Sequence, residues 1–169
     1  MKLAATSLAL LLSSMPAVAH AQVQAQSQEI VRHKIPGSDF PIAQAVTLPP
    51  NATIHFISGQ VPPVVDKAVD PNAIAAFGDT KTQTTGVLLR IKDILQGMGL
   101  SMADVVKMQV FLVGDPAHGG RADVAGFMAG YTQFFGGAQP NLPERAVMQV
   151  AALSNPGWLV EIEVVAAKK

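Results

Sequence analysis

The residues best suited to chemistry are an arginine behind a proline and two glutamates near the end of the chain. Arg145 follows Pro143 at the start of a strand-like run. Its guanidinium offers a rigid fork of donors that matches a carboxylate. Glu161 and Glu163 alternate with apolar residues in the last predicted strand. One side chain to hold an acid and another to steer water suggest small-molecule chemistry, although a lone arginine at a strand start is more often a solvated surface residue.

Composition and charge restrict the classes of protein that this chain can represent. Its 169 residues are 49% hydrophobic, which is enough for one domain with a core. The 12 basic and 12 acidic residues are scattered, and one tryptophan and one tyrosine leave little aromatic surface for stacking on bases. This balance argues against nucleic acid as a main partner.

The sequence contains no motif for a metal or an organic cofactor. Without cysteine it has no disulfide, thiol nucleophile or cysteine-based metal site. His33, His55 and His118 lack the spacing of metal ligands. Neither a phosphate-binding loop nor a dinucleotide fingerprint occurs.

The first 21 residues predict export. A short positive start, an apolar run over residues 3–12 and the small-residue site Ala19-His20-Ala21 follow the order of a secretory signal peptide. We predict that residues 1–21 are removed and that residues 22–28 form a flexible polar tail, which leaves a net charge of about −1. A periplasmic or secreted protein with no membrane span in its mature form follows. The alternative is a buried N-terminal helix.

The remaining residues, 29–169, are predicted to form one α+β domain. Apolar residues recur at helical spacing over residues 79–98 and 123–135. Thr80 and Gln83 fit a capping box at the start of the first helix. Short β-rich runs predict strands at residues 29–34, 43–48, 53–58, 104–113, 145–153 and 159–167.

The order and patterning of these elements predict how they pack. Residues 43–48 and 53–58 are separated by a proline-rich turn and are predicted to pair as a hairpin. The order of helices and strands predicts a mixed or antiparallel sheet with both helices on one face. The second face of that sheet remains apolar, which favours a homo-oligomer.

Five motifs occur in register along this domain. They are Ser58-Gly59-Gln60-Val61-Pro62, the helix and strand over residues 83–112, Tyr131-Thr132-Gln133-Phe134-Phe135, Pro143-Glu144-Arg145-Ala146 and the closing strand over residues 160–166. Together they resemble the RidA/YjgF family of reactive-intermediate (imine) deaminases, whose members are also named endoribonuclease L-PSP proteins. The resemblance covers nearly the whole predicted domain.

This resemblance implies a fold and an activity. The fold would be the chorismate-mutase-like α+β domain, assembled as a homotrimer with clefts between subunits. Family enzymes hydrolyse enamine and imine acids such as 2-aminoacrylate and 2-iminobutanoate to ammonia and a 2-keto acid. They need no metal and no organic cofactor, so the implied partners are a small carboxylate substrate and further copies of the chain.

The resemblance also implies roles for individual residues. Arg145 matches the arginine that binds the substrate carboxylate, and Glu161 matches the glutamate that acts on the attacking water. Ser58 matches a pocket serine that hydrogen-bonds substrate or water. Gly59 is expected to allow a tight turn beside the substrate, and Phe111 to supply an apolar wall.

Two positions depart from the family pattern and make the expected pocket more apolar. Family members often carry a tyrosine after the early proline, where this chain has Ile42. They often carry an asparagine three residues before the Tyr131 motif, where this chain has Met128. The connection over residues 114–121 is also longer than usual and includes His118 and Arg121, which are candidates for a ligand-contacting rim or a solvated loop.

Three functions are compatible with these residues. The first is a cofactor-free deaminase of small 2-imino acids that uses Arg145 to bind the acid. The second is a trimer that binds a small metabolite without turning it over, which the two departures and the predicted export favour. The third is an RNA-cleaving or translation-inhibiting protein, which the near-zero net charge opposes.

Overall fold

A computed structural model of the protein describes residues 28–137 and 139–169. Six strands are present: β1 (Val31–Lys34), β2 (Ala43–Thr47), β3 (Thr53–Gln60), β4 (Val105–Val113), β5 (Glu144–Val150) and β6 (Val160–Lys168). The α-helices are α1 (Thr80–Gly97) and α2 (Val124–Tyr131), and single 3-10 turns cover Ile74–Ala76, Met102–Asp104 and Pro116–His118. The predicted signal peptide and residues 22–27 of the predicted tail lie outside the described residues.

The six strands form one mixed sheet in the order β1-β2-β5-β4-β6-β3. β5 runs parallel to both of its neighbours, β2 and β4, whereas the other neighbouring strands are antiparallel. α2 packs against α1, and the two helices share one apolar core with the strands beneath them. The predicted α+β class, with a mixed sheet and two helices on one face, is confirmed.

The predicted hairpin between the second and third strands is wrong. β2 pairs with β1 and β5, whereas β3 pairs with β6 at the opposite edge of the sheet. The alternation and the proline-rich turn are local signals, and they identify both strands. They do not determine which partner each strand takes, because that depends on long-range burial of apolar side chains.

The first helix buries most of the apolar stripe that its spacing predicted, but Met98 at the end of that stripe is 46% exposed. Val87, Leu88, Ile91 and Leu95 are fully buried in the core. The helix begins after Asp79, whose carboxylate accepts a hydrogen bond of 2.8 Å from the backbone N–H of Thr82. Asp79 is therefore the N-cap, and the predicted capping box at Thr80 is wrong.

Gln83, the other half of the predicted box, ties the helix to the chain before β6. Its buried amide donates to the carbonyl oxygens of Gly78 and Gly157 at 2.9 and 3.0 Å. Its carbonyl oxygen accepts from the backbone N–H of Leu159 at 2.7 Å. Every polar atom of this buried side chain is engaged, so Gln83 serves tertiary structure and not the helix end.

The sheet face away from the helices, here called the open face, carries exposed apolar side chains. Phe56 on β3 is 81% exposed, and Ile54 two residues earlier shares its face. Large apolar side chains therefore remain exposed on part of this second face, beside polar residues such as Lys107 and Gln109. An apolar sheet face of this kind is typical of a surface that another chain covers.

The Asp79→Ala variant is expected to lose about 1 kcal/mol of free energy of unfolding at neutral pH, because the Thr82 N–H loses its acceptor. Hydrogen bonds from the Thr82 side chain and backbone lower the pKa of Asp79. The stabilisation is therefore present above the unfolded pKa of about 3.9 and disappears as pH falls through the lower folded pKa. Urea denaturation at neutral pH and at about pH 2 measures both stabilities. Asp79→Asn, which keeps an acceptor, is the control. Equal stabilities of the native and Asp79→Ala proteins at neutral pH would contradict the assignment of Asp79 as the N-cap.

Candidate functional site

The guanidinium of Arg145 lies among three aromatic rings. Its central carbon is 4.1 Å from the ring centroid of Tyr131, 5.1 Å from that of Phe127 and 5.5 Å from that of Phe40. These distances fall within the range of cation–π attraction. Phe127 and Tyr131 are fully buried, whereas Phe40 is 47% exposed, so Phe40 forms the outer cover of the site.

Local structure explains why these side chains meet. Arg145 pairs with Met108 across the parallel β4–β5 ladder, and Met108 faces the helices. Phe127 and Tyr131 are four residues apart on α2, so their rings lie on one face of that helix. The third ring, Phe40, comes from the segment before β2.

Tyr131 fixes the segment that carries the outer ring. Its hydroxyl donates a hydrogen bond of 2.7 Å to the carbonyl oxygen of Pro41, next to Phe40. Burial raises the pKa of Tyr131 to about 12, and the nearby charge of Arg145 opposes that shift. The hydroxyl therefore keeps its proton at neutral pH and remains a donor to Pro41.

The hydrogen-bonding capacity of Arg145 is largely unused. Its Nη2 lies 3.3 Å from the sulfur of Met128, which is a weak acceptor. Its Nε and Nη1 are buried without a hydrogen-bond partner, and no carboxylate of the described residues pairs with it. Burial lowers the pKa of Arg145, and Tyr131 opposes that shift. A charged fork with free buried N–H groups favours an anion that brings two acceptors.

A second group of predicted residues lies on the open face. Glu161 pairs with Phe111 across the β4–β6 ladder, so both side chains share that face. Gly59 lies within β3 at an irregularity of the β3–β6 register, and a Cβ added there would overlap the Glu161 carboxylate. The expectation of a tight turn at Gly59 is therefore wrong: the glycine permits the close approach of Glu161.

The two groups lie on opposite faces of one sheet. On β4, the partner of Arg145 is Met108 and the partner of Glu161 is Phe111, three residues further on. Side chains three residues apart in a strand point to opposite faces and are separated by about 10 Å along it. Within one chain, Arg145 and Glu161 do not meet.

The remaining predicted residues divide between these two locations. Met128 contacts Arg145, and Ile42 lines an adjoining cavity of about 230 Å³ with Phe40, Pro41 and Leu142. Exposed Ser58 lies on the open face, in a cavity of about 260 Å³ that also touches Lys107, Gln109 and Glu163. The roles assigned to all these residues remain predictions.

The rings around Arg145 did not appear among the predicted site residues. Phe127 and Tyr131 share a face of α2 because they are four residues apart, and Tyr131 lies three residues after Met128, which the family resemblance placed in the site. That spacing is the signal that could have found them. Phe40 had no such signal, because it is 105 residues distant from Arg145 in sequence and reaches it only through the fold.

The connection over residues 114–121 lies at the other end of β5. The side-chain amide of Gln149, four residues after Arg145, donates to the carbonyl oxygen of Gly120 at 3.1 Å. His118 lies 3.1 Å from the Asp115 carboxylate and 3.9 Å from that of Asp123, the N-cap of α2. About 13 Å of strand separates this loop from Arg145. Ligand contacts by His118 or Arg121 remain a prediction.

Among residues 28–137 and 139–169, no three histidine or acidic side chains are grouped to hold a metal ion. In the same part of the chain, neither helix has the length and apolar character needed to cross a bilayer.

The sheet order and the two helices on one face define an α+β protein of the chorismate-mutase-like class. The family described as "Endoribonuclease L-PSP" matches residues 36–168. The chain therefore belongs to this family, which is the RidA/YjgF family that the motifs indicated, and that prediction is confirmed.

Two relatives have names that state an activity. The chain is 32% identical over 139 residues to "Putative reactive intermediate deaminase TdcF" of Escherichia coli, a match that covers 82% of this chain and 95% of the relative. It is 29% identical over 143 residues to "2-iminobutanoate/2-iminopropanoate deaminase" of Salmonella typhimurium, which covers 85% of this chain and 99% of that protein.

Solved structures of the family share the fold. The Rid protein YyfB of Yersinia pestis matches with a TM-score of 0.60 and 26% identity, over 83% of this chain and 98% of that one. TdcF of E. coli with bound serine matches with a TM-score of 0.54 and 29% identity, over 85% and 100%. The predicted chorismate-mutase-like fold is confirmed.

Proposed function

We propose that this protein is a cofactor-free hydrolase that converts small 2-imino acids to 2-keto acids and ammonia. The observation that carries the proposal is the partly buried guanidinium of Arg145, which has two buried N–H groups without a partner. The carboxylate common to all 2-imino acids supplies two acceptors for such a fork. Its binding would satisfy donors that are costly to leave unpaired.

Binding requires the outer cover of the site to move. Phe40 lies over the guanidinium and is the only exposed ring of the three, so a carboxylate reaches Nε and Nη1 when this ring turns outward. Phe127 and Tyr131 stay beneath the charge and hold it in place. The bound carboxylate then fixes the position of the C=N carbon next to it.

The chemical step adds water to that carbon. Water attacks the C=N carbon and one of its protons passes to the nitrogen, which gives a carbinolamine. The proton of the new hydroxyl then passes to the nitrogen as the C=O bond forms and the C–N bond breaks, which releases ammonia and a 2-keto acid. Glu161 is proposed to take the proton from water and return it to the nitrogen, with Ser58 orienting the water. Both residues lie on the open face, beside Gly59.

A second copy of the chain is proposed to bring the two halves of the site together. Arg145 and Glu161 belong to opposite faces of one sheet, so Glu161 must come from another subunit. The exposed Phe56 and Ile54 on the open face support assembly through that face. A homotrimer, as the family resemblance implies, would place one such site in each cleft between subunits.

Relatives support the same reaction class. Those at 29–32% identity bear names of reactive-intermediate and 2-iminobutanoate deaminases. The structure of TdcF contains bound serine, which carries the carboxylate that we assign to Arg145.

A second candidate is a trimer that binds a 2-keto or amino acid without turning it over. The contact of Arg145 with the thioether of Met128 favours it, because sulfur is too weak an acceptor to hold a water against the substrate. Both candidates need the carboxylate at Arg145, and turnover separates them.

The Arg145→Ala variant is expected to lower kcat/KM for 2-iminobutanoate by about 10- to 100-fold, because charged hydrogen bonds of about 1.5–3 kcal/mol are lost. The rate of 2-oxobutanoate release from freshly generated imine measures it. Arg90→Ala, at an exposed arginine on α1, is the matched control and should retain full activity. Native protein that gives no acceleration while binding 2-oxobutanoate would replace the deaminase with the non-catalytic trimer.

Mixed trimers test whether Arg145 and Glu161 act from different subunits. The Arg145→Ala and Glu161→Gln proteins should each keep at most about one tenth of native activity, since each lacks one half of every site. Refolded together in equal amounts, they are expected to regain about one quarter of native activity, because a random trimer restores both halves in that share of its clefts. Each variant refolded alone is the control. Activity that stays at the level of the single variants would show that the two residues do not combine across an interface.

A further inference from the structure

We infer that the Arg145 site selects 2-imino and 2-keto acids with bulky apolar side chains, and that Phe40 determines this selectivity. The inference deepens the proposed function and rests on its carboxylate at Arg145. It names the substrates as those derived from branched aliphatic or aromatic amino acids, in preference to the small acids derived from alanine or the acidic ones derived from glutamate.

The first support comes from the side chains nearest to the guanidinium. A carboxylate held by Arg145 places its Cα one bond away, so the Cα substituent lies among the groups that surround the guanidinium. Of the described side chains around the guanidinium, two are not fully buried. They are the ring of Phe40, which turns outward to admit the acid and then lies against its substituent, and the thioether of Met128. Neither gives a strong hydrogen bond, and both attract apolar surface.

The second support is the cavity beside Phe40. It measures about 230 Å³ and is lined on one side by Phe40, Pro41, Ile42 and Leu142. This volume lies below the range of about 300–1,000 Å³ that drug-sized ligands occupy, so it suits a single side chain. A methyl group would leave most of this apolar lining in contact with water, whereas a branched or aromatic side chain would cover it.

Charged residues at the same cavity do not favour an acidic side chain. Lys34 and Asp39 both line it, and they carry opposite charges. The attraction of Lys34 for a second carboxylate is offset by the repulsion from Asp39. The apolar wall therefore decides the preference.

Stable 2-keto acids test the inference without relying on turnover. Calorimetric titrations compare pyruvate, 4-methyl-2-oxopentanoate, phenylpyruvate and 2-oxoglutarate, which share one carboxylate next to a carbonyl. We expect 4-methyl-2-oxopentanoate and phenylpyruvate to bind at least about tenfold more tightly than pyruvate, and 2-oxoglutarate no more tightly than pyruvate.

Variants assign the preference to Phe40. Phe40→Ala and Phe40→Gln are each expected to reduce the phenylpyruvate-to-pyruvate affinity ratio by about tenfold. Leu89→Ala on α1 is the matched control, because Leu89 is a large apolar residue that is also 47% exposed, and its ratio should equal the native one. Arg145→Ala should weaken the binding of all four acids alike.

The outcomes separate this inference from the proposed function. Two outcomes would overturn the preference for bulky apolar acids: equal affinities for the four acids, or tightest binding of 2-oxoglutarate. An unchanged affinity ratio in both Phe40 variants would overturn the assignment of that preference to Phe40. Each of these outcomes would leave the arginine site intact. Full binding by Arg145→Ala would overturn the carboxylate site of the proposed function. Native protein that binds none of the four acids would overturn both.

Discussion

The rest of the site depends on one constraint: the guanidinium of Arg145 lies among aromatic rings, and no acid of the described residues pairs with it. Arg145 cannot lose its charge in a protein, and its partly buried position leaves Nε and Nη1 without acceptors. The rings of Phe127 and Tyr131 stabilise the charge through cation–π attraction. The fold thus keeps a fork of donors in place for an anion from outside the chain. The Tyr131 hydroxyl fixes the chain at Pro41, so the covering ring of Phe40 stands on an anchored segment.

The sheet imposes the second constraint. β4 lies between β5, which carries Arg145, and β6, which carries Glu161. The alternation of a strand then directs the two side chains to opposite faces, whatever their rotamers. A single chain therefore carries the proposed acid-binding half on one face of the sheet and the Glu161 carboxylate on the other. In the proposed assembly, another chain would cover the apolar open face and would also bring the two halves of the site together.

Sequence patterns predicted the helices and strands better than they predicted which strands pair. The helical stripe of α1 was found because Val87, Leu88, Ile91 and Leu95 recur with the period of a helix. The pairing of β3 with β6 was missed, since nothing local distinguishes a hairpin from a strand that crosses to the far edge. In the site, motifs located Arg145 and Met128. The contribution of Phe40 is a product of tertiary structure, and no spacing rule connects it to Arg145.

The most direct test of the proposed role of Arg145 is a crystal structure of the protein with 2-oxobutanoate bound. We predict that the two carboxylate oxygens accept hydrogen bonds from Nε and Nη1 of Arg145. The Phe40 ring should be turned away from the guanidinium, and the Phe127 and Tyr131 rings should be unmoved. A ligand bound elsewhere, with Phe40 still covering Arg145, would contradict the claim that this arginine is the anchor for the acid.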